Sequence, residues 1–107
     1  MPTPFRLFFF YQPGCPACGL AEPEFRKFQA EHPEGLCLTV NARGGRAIAG
    51  FTAKQTPSYL MLVGDEKLPH VGPLEREDLE EMLSAMMGNA EPDDEDEVDE
   101  EVDDEDE

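Results

Sequence analysis

Basic residues are scarce in this 107-residue chain: 8 Lys and Arg stand against 25 Asp and Glu, for a net charge of −17. The eight, Arg6 to Arg76, are scattered rather than gathered into a patch, so a nucleic-acid partner is disfavoured. Long hydrophobic runs are missing as well. The longest strongly apolar stretch is residues 7–11, far short of the roughly 20 residues a membrane helix needs. Residues 1–10 do not read as a leader, which leaves a cytoplasmic, non-membrane protein as the expectation. Cysteine is sparse: three residues, an odd count, with no second Cys-x-x-Cys. That argues against a closed disulfide framework and against a complete four-ligand zinc site. No metal and no cofactor is expected.

The acidic excess is uneven. Residues 91–107 hold 14 acids and no base, with little apolar content beyond Val98 and Val102. Such a segment cannot bury enough surface to offset the entropy of ordering, so it reads as a disordered acidic tail. It would act as a solubilising spacer, or as an arm steering the domain toward a basic partner through a field that salt screens. It has no spaced loop with the glycine an EF-hand requires. The other 11 acids and 8 bases leave residues 1–90 with a net charge of −3, an ordinary composition for one small domain. The domain is expected to be a monomer.

Residues 5–11 form a nearly continuous apolar, aromatic run, as in a strand buried on both faces. Gln12-Pro13-Gly14 ends it. A helix follows from Cys15, with Pro16 in the tolerated first turn, Ala21, Phe25 and Phe28 on one face, and Pro23 in its middle, where it is expected to kink the helix. Residues 36–40 read as a second buried strand, residues 47–51 as a short helix, and residues 58–63 as a third strand. Gly64-Asp65 signals a hairpin into a fourth strand, residues 66–71, which Pro69 assigns to an edge. Residues 75–87 form the last helix, with Leu79, Met82, Leu83 and Met86 at helical spacing and Gly88 ending it. The order β-α-β-α-β-β-α predicts an α/β fold, a four-stranded mixed sheet with helices on both faces. Phe8, Phe9 and Phe10 belong to its core, as does Cys37, since free cysteine is commonly buried. His32 and His70 are expected at the surface.

Cys15-Pro16-Ala17-Cys18 lies between a predicted strand and a predicted helix. Cys15 would sit at the helix N-terminus, where unpaired N–H groups and the dipole favour a thiolate, the nucleophile of disulfide exchange. Cys18, nearly one turn deeper, would resolve a mixed disulfide. The competing readings are a zinc half-site and an inert remnant.

These residues resemble thioredoxins and glutaredoxins over about residues 5–87. Cys-Pro-x-Cys is similar to the glutaredoxin site. Pro23, Phe51, Thr56-Pro57 and Val71-Gly72-Pro73-Leu74 are similar to thioredoxin positions. The resemblance implies a thioredoxin-like fold and a redox-active disulfide, with Cys15 as nucleophile and Cys18 as resolving thiol. It implies that Pro57 is a cis-proline packed beside Cys15, that Thr56 offers backbone groups to an extended substrate segment, and that Pro16, Ala17 and Gly72 complete that surface. It also implies thiol–disulfide oxidoreductase activity on protein disulfides, with a thioredoxin reductase or glutathione as electron donor. Two positions and one segment depart from the pattern. Phe9 stands where thioredoxins carry a buried aspartate, and Gly14 where they carry tryptophan. The second half of a glutathione site is not recognisable. Glu22, one turn beyond Cys18, is the nearest substitute acid, and a solvated helix carboxylate is its plainer role. A non-catalytic protein-binding module assisted by the tail is the alternative.

Overall fold

The computed structural model describes residues 3–90, so the expected tail, residues 91–107, lies outside the described residues. Six strands and two α-helices follow in order: β1 Arg6–Tyr11, α1 Pro16–Glu31, β2 Leu36–Asn41, a one-turn 3-10 helix Ala42–Gly44, β3 Ala47–Ile48, β4 Phe51–Thr52, β5 Ser58–Val63, β6 Glu66–Val71 and α2 Arg76–Ala90. The main sheet has the order β2-β1-β5-β6. β1 and β2 are parallel, and β5 is antiparallel to both β1 and β6. The α/β fold class stands, with β6 at one edge as Pro69 requires.

The apolar run of β1 is continuous because both of its faces are covered. Leu7 and Phe9 point to the helices, while Phe8 and Phe10 point to a second, smaller core. β5 behaves alike, with all six residues buried. On α1, Cys18, Ala21, Phe25 and Phe28 are the buried residues, one stripe at helical spacing. The helix runs unbroken through Pro23 to Glu31. Phe25 and Phe28 are both fully buried, and each contributes about 1.5–3 kcal/mol by leaving water.

Three expectations change. Residues 47–51 are not a helix: β3 and β4 form a tight antiparallel hairpin. Gly50 (φ +84°) and Ala49 (φ +52°) turn the chain between them, a left-handed pair that a helix cannot hold. As a result both α-helices pack on one face of the sheet, and the hairpin covers the other through Ile48 and Phe51, with Phe51 edge-on to Phe10 at 5.3 Å. Second, β2 is an edge strand, not a fully buried one. Only Cys37 and Val40 are buried, while Leu36 and Leu38 are each 42% exposed. Third, α2 continues past Gly88 to Ala90.

Gly35 is required by close approach. A Cβ there would overlap the ring of Phe5, which is 2% exposed, lies 5.8 Å from Phe28 and cannot swing away. Gly35→Ala is expected to cost about 1–3 kcal/mol, lowering Tm by several degrees in thermal unfolding.

His32 is not a free surface residue. Its side chain is only 17% exposed, with Nδ1 at 2.9 Å from Glu34 and Nε2 at 2.6 Å from Glu80 of α2. Arg76 adds contacts to Glu31 at 3.1 Å and Glu80 at 3.3 Å. Together these tie the end of α1 to the start of α2. Burial alone would lower the His32 pKa, but hydrogen bonds and charge from Glu34 and Glu80 outweigh it and raise the pKa above 6.5. A raised folded-state pKa adds stability below the unfolded value, and that stability is lost as pH rises through the folded value. Wild-type Tm is therefore expected to fall by a few degrees, about 0.5–1 kcal/mol, between mildly acidic and mildly basic pH. His32→Gln should flatten that dependence.

Candidate active site

Cys15 is the N-cap of α1, with extended backbone (φ −94°, ψ 108°), and Pro16 occupies the first turn, where its missing N–H leaves nothing unpaired. The Cys18 N–H donates to Cys15 Sγ at 3.1 Å. No acidic side chain occupies the first turn of α1, so the positive end of the helix is left to the sulfur. In a reduced protein this donor and the helix dipole would both favour negative charge on Cys15. Cys15 and Cys18 are joined as a disulfide, with Cα atoms 5.2 Å apart. Cys15 is half-exposed and Cys18 is 5% exposed, so a substrate reaches one sulfur and not the other.

The Thr56-Pro57 peptide bond is cis. Thr56 places its carbonyl oxygen 3.7 Å and its hydroxyl 3.6 Å from Cys15 Sγ. Gly72 donates its N–H to the Pro57 carbonyl at 2.9 Å. Its φ of +110° falls where side chains are disfavoured, which explains glycine at this point of the loop. Thus Cys15, Thr56, Pro57 and Gly72, expected to lie together from family resemblance, are brought into one small region. Pro16 and Ala17 lie on the first turn beside them, with Pro16 exposed and Ala17 half-buried.

One supporting residue escaped the sequence reading. Tyr59 is fully buried, and its hydroxyl accepts the Leu74 N–H at 3.2 Å, fixing the loop behind Gly72. A tyrosine in an otherwise apolar strand was the available signal, since a buried hydroxyl must find a partner.

Phe9 is 1% exposed, stacked on Phe25 at 5.1 Å and tilted against Tyr59 at 5.3 Å. The position is built as aromatic core. Glu22 lines a cavity of about 200 Å³ with Phe9, Tyr11, Arg26 and Thr39. Its carboxylate is half-exposed and held by Arg26 at 3.2 Å. Cys37 is 6% exposed, and burial pushes its thiol up to about 11, so it stays protonated and unreactive near neutral pH.

No family model and no curated protein matches the sequence. Solved structures do. A thioredoxin-2 described as a component of malaria parasite protein secretion machinery superposes with a TM-score of 0.69 at 20% identity, covering 79% of this chain and 85% of that one. Fasciola hepatica thioredoxin gives 0.66 at 16% identity, covering 78% and 81%. The periplasmic thioredoxin SoxS from Paracoccus pantotrophus, in reduced form, gives 0.61 at 23% identity, covering 81% and 99%. These likenesses are of fold, and the chain has the thioredoxin fold.

Proposed function

We propose that the chain is a thiol–disulfide oxidoreductase acting on protein disulfides. The observation that carries the reading is the joined pair, one sulfur accessible and one buried, at a helix N-terminus facing the Thr56-Pro57 loop. In the reduced protein the Cys15 thiolate attacks one sulfur of a substrate disulfide. The Cys15–sulfur bond forms, the substrate bond breaks, and the departing substrate thiolate takes a proton. Cys18, once deprotonated, attacks Cys15 Sγ and releases the second substrate thiolate, which is protonated in turn. The substrate has gained two electrons and two protons, and Cys15–Cys18 is oxidised. A dithiol reductase of the thioredoxin-reductase class, or glutathione, returns the electrons. Pro16, Ala17, Thr56, Pro57 and Gly72 form the surface on which the substrate segment lies, with Thr56 backbone groups pairing to it as in strand addition. The working location is the cytoplasm. Among the described residues no helix is long and apolar enough to cross a membrane.

The test is reduction of insulin disulfides by the chemically reduced protein, followed by a redox titration of Cys15–Cys18 against glutathione and a thioredoxin reductase. Turnover with either donor supports the reading. A second reading, a docking module without turnover, draws on the aromatic core that occupies the Phe9 position. It predicts no insulin reduction, with partner binding retained when Cys15 and Cys18 are both replaced by serine.

A further inference from the structure

A groove of about 440 Å³ lies between α1, from two residues beyond Cys18, and the segment that follows Gly72. Leu20, Ala21 and Leu74 supply its apolar surface, and Glu24, Glu75 and Asp78 supply its charge. Leu20 is 78% exposed, a large unpartnered side chain on the helix that carries the cysteines. On the opposite wall the Leu74 backbone N–H is anchored on the Tyr59 hydroxyl at 3.2 Å.

The three carboxylates are arranged, not scattered. Glu24 accepts the Arg76 backbone N–H at 2.9 Å and pairs with Lys27 at 3.0 Å. Asp78 accepts the Glu75 N–H at 3.0 Å. The Arg76 guanidinium, which could have neutralised the groove, is turned to Glu31 and Glu80. Among the described residues neither Glu75 nor Asp78 forms an ion pair, so the groove keeps a net negative charge.

We propose that this groove binds a basic segment of the substrate protein, an apolar residue seated on Leu20 and Leu74 and flanked by Lys or Arg facing Glu24, Glu75 and Asp78. The inference rests on the oxidoreductase reading and assigns its substrate class. Charge selects this occupant. The chain's own residues 91–107 carry 14 acids, and a second copy carries −17, so both are repelled. Distance agrees as well. Leu20 lies five residues along α1 from Cys15, about 7–8 Å of helix rise, which an extended substrate spans in two to three residues.

Three probes separate the outcomes: a peptide with leucine flanked by lysines on both sides of a central cysteine, its glutamate counterpart, and insulin. Binding is read by fluorescence anisotropy on fluorophore-labelled versions with serine in place of cysteine, so it does not depend on turnover. Turnover is read as kcat/KM for the corresponding peptide disulfides. The basic peptide is expected to bind and react about tenfold better than the acidic one at low salt. The gap should largely close at about 0.5 M salt, where screening falls to a few Å. In Leu20→Ser/Glu75→Gln the preference should drop at least about threefold. Equal binding of the two peptides by wild type overturns the proposal. So does a preference that the double substitution leaves unchanged, which would trace it to the net charge of the whole chain. Self-association abolished by the same substitutions would also overturn it, by assigning the groove to a second copy. Failure to reduce insulin disulfides, with the binding preference intact, would overturn the activity and leave the groove.

Discussion

Replacing Cys15 with serine is expected to abolish disulfide reduction, lowering turnover of insulin by at least about a thousandfold. The serine hydroxyl is not ionised at neutral pH, so the N-cap position and the Cys18 N–H donor would have no thiolate to stabilise. Relative to the reduced protein, fold stability should change little, because Cys15 is half-exposed and a serine is itself a good N-cap. Cys18→Ser has a different signature. Cys15 can still attack, but nothing resolves the adduct, so covalent mixed disulfides with substrate should accumulate and disappear on adding a reductant. Non-reducing gel electrophoresis of the two variants, incubated with the same oxidised protein, distinguishes them: a shifted band for Cys18→Ser, none for Cys15→Ser. Full activity in Cys15→Ser, or trapping by Cys15→Ser rather than by Cys18→Ser, would reverse or remove the assigned roles. Cys37 does not confuse the result, since its buried, protonated thiol stays out of exchange.

The second large effect falls on Phe9. Phe9→Ala is expected to cost about 3–5 kcal/mol, the cavity left by a buried aromatic ring. The loss includes stacking on Phe25 at 5.1 Å and contact with Tyr59 at 5.3 Å. Phe9→Asp should cost at least as much, because it removes the same contacts and places a carboxyl among apolar rings with no partner. A domain of this size commonly has about 5–15 kcal/mol in hand, so either change takes a large share. Phe9→Leu, which keeps most of the volume, should cost under about 1.5 kcal/mol. Urea denaturation of the three variants checks the order. A Phe9→Asp protein within about 1 kcal/mol of wild type would mean that the space beside Phe9 admits a solvated carboxylate. The functional corollary concerns the proton of Cys18. With an aromatic core at this position, water or Glu22 must accept it, and Glu22 is held outward by Arg26.

The order of the elements was legible because it is written in local patterns. A period near 3.6 marks α1 through Ala21, Phe25 and Phe28 and α2 through Leu79, Leu83 and Met86, and each of these side chains is buried. Unbroken apolar runs mark β1 and β5 because the helices cover one face of each and the β3–β4 hairpin the other. Cys-Pro-Ala-Cys at a strand-to-helix junction was likewise local, since one turn of helix is enough to set the Cys15–Cys18 spacing. The hairpin of β3 and β4 was illegible, because its residues have no period and its turn rests on a positive φ at Ala49 that alanine rarely adopts. The exposure of Leu36 and Leu38 was hidden for a related reason: an edge strand differs from a central one only in having no neighbour beyond it.

By itself, then, the sequence determined the two helices and their apolar faces, the four strands of the main sheet and the dithiol at a helix start. The resemblance of its motifs added the expectation that Thr56-Pro57 meets Cys15. Only the tertiary structure decided which face of the sheet each helix covers, that Phe9 stacks on Phe25, that His32 reaches Glu80, and that Gly35 must clear Phe5. It also turned Arg76 toward Glu31 and left an acidic groove against the helix that carries Cys18. The reason is physical: these contacts join residues 16 to 52 positions apart, and no local periodicity encodes which distant surfaces will meet once the apolar faces are buried together.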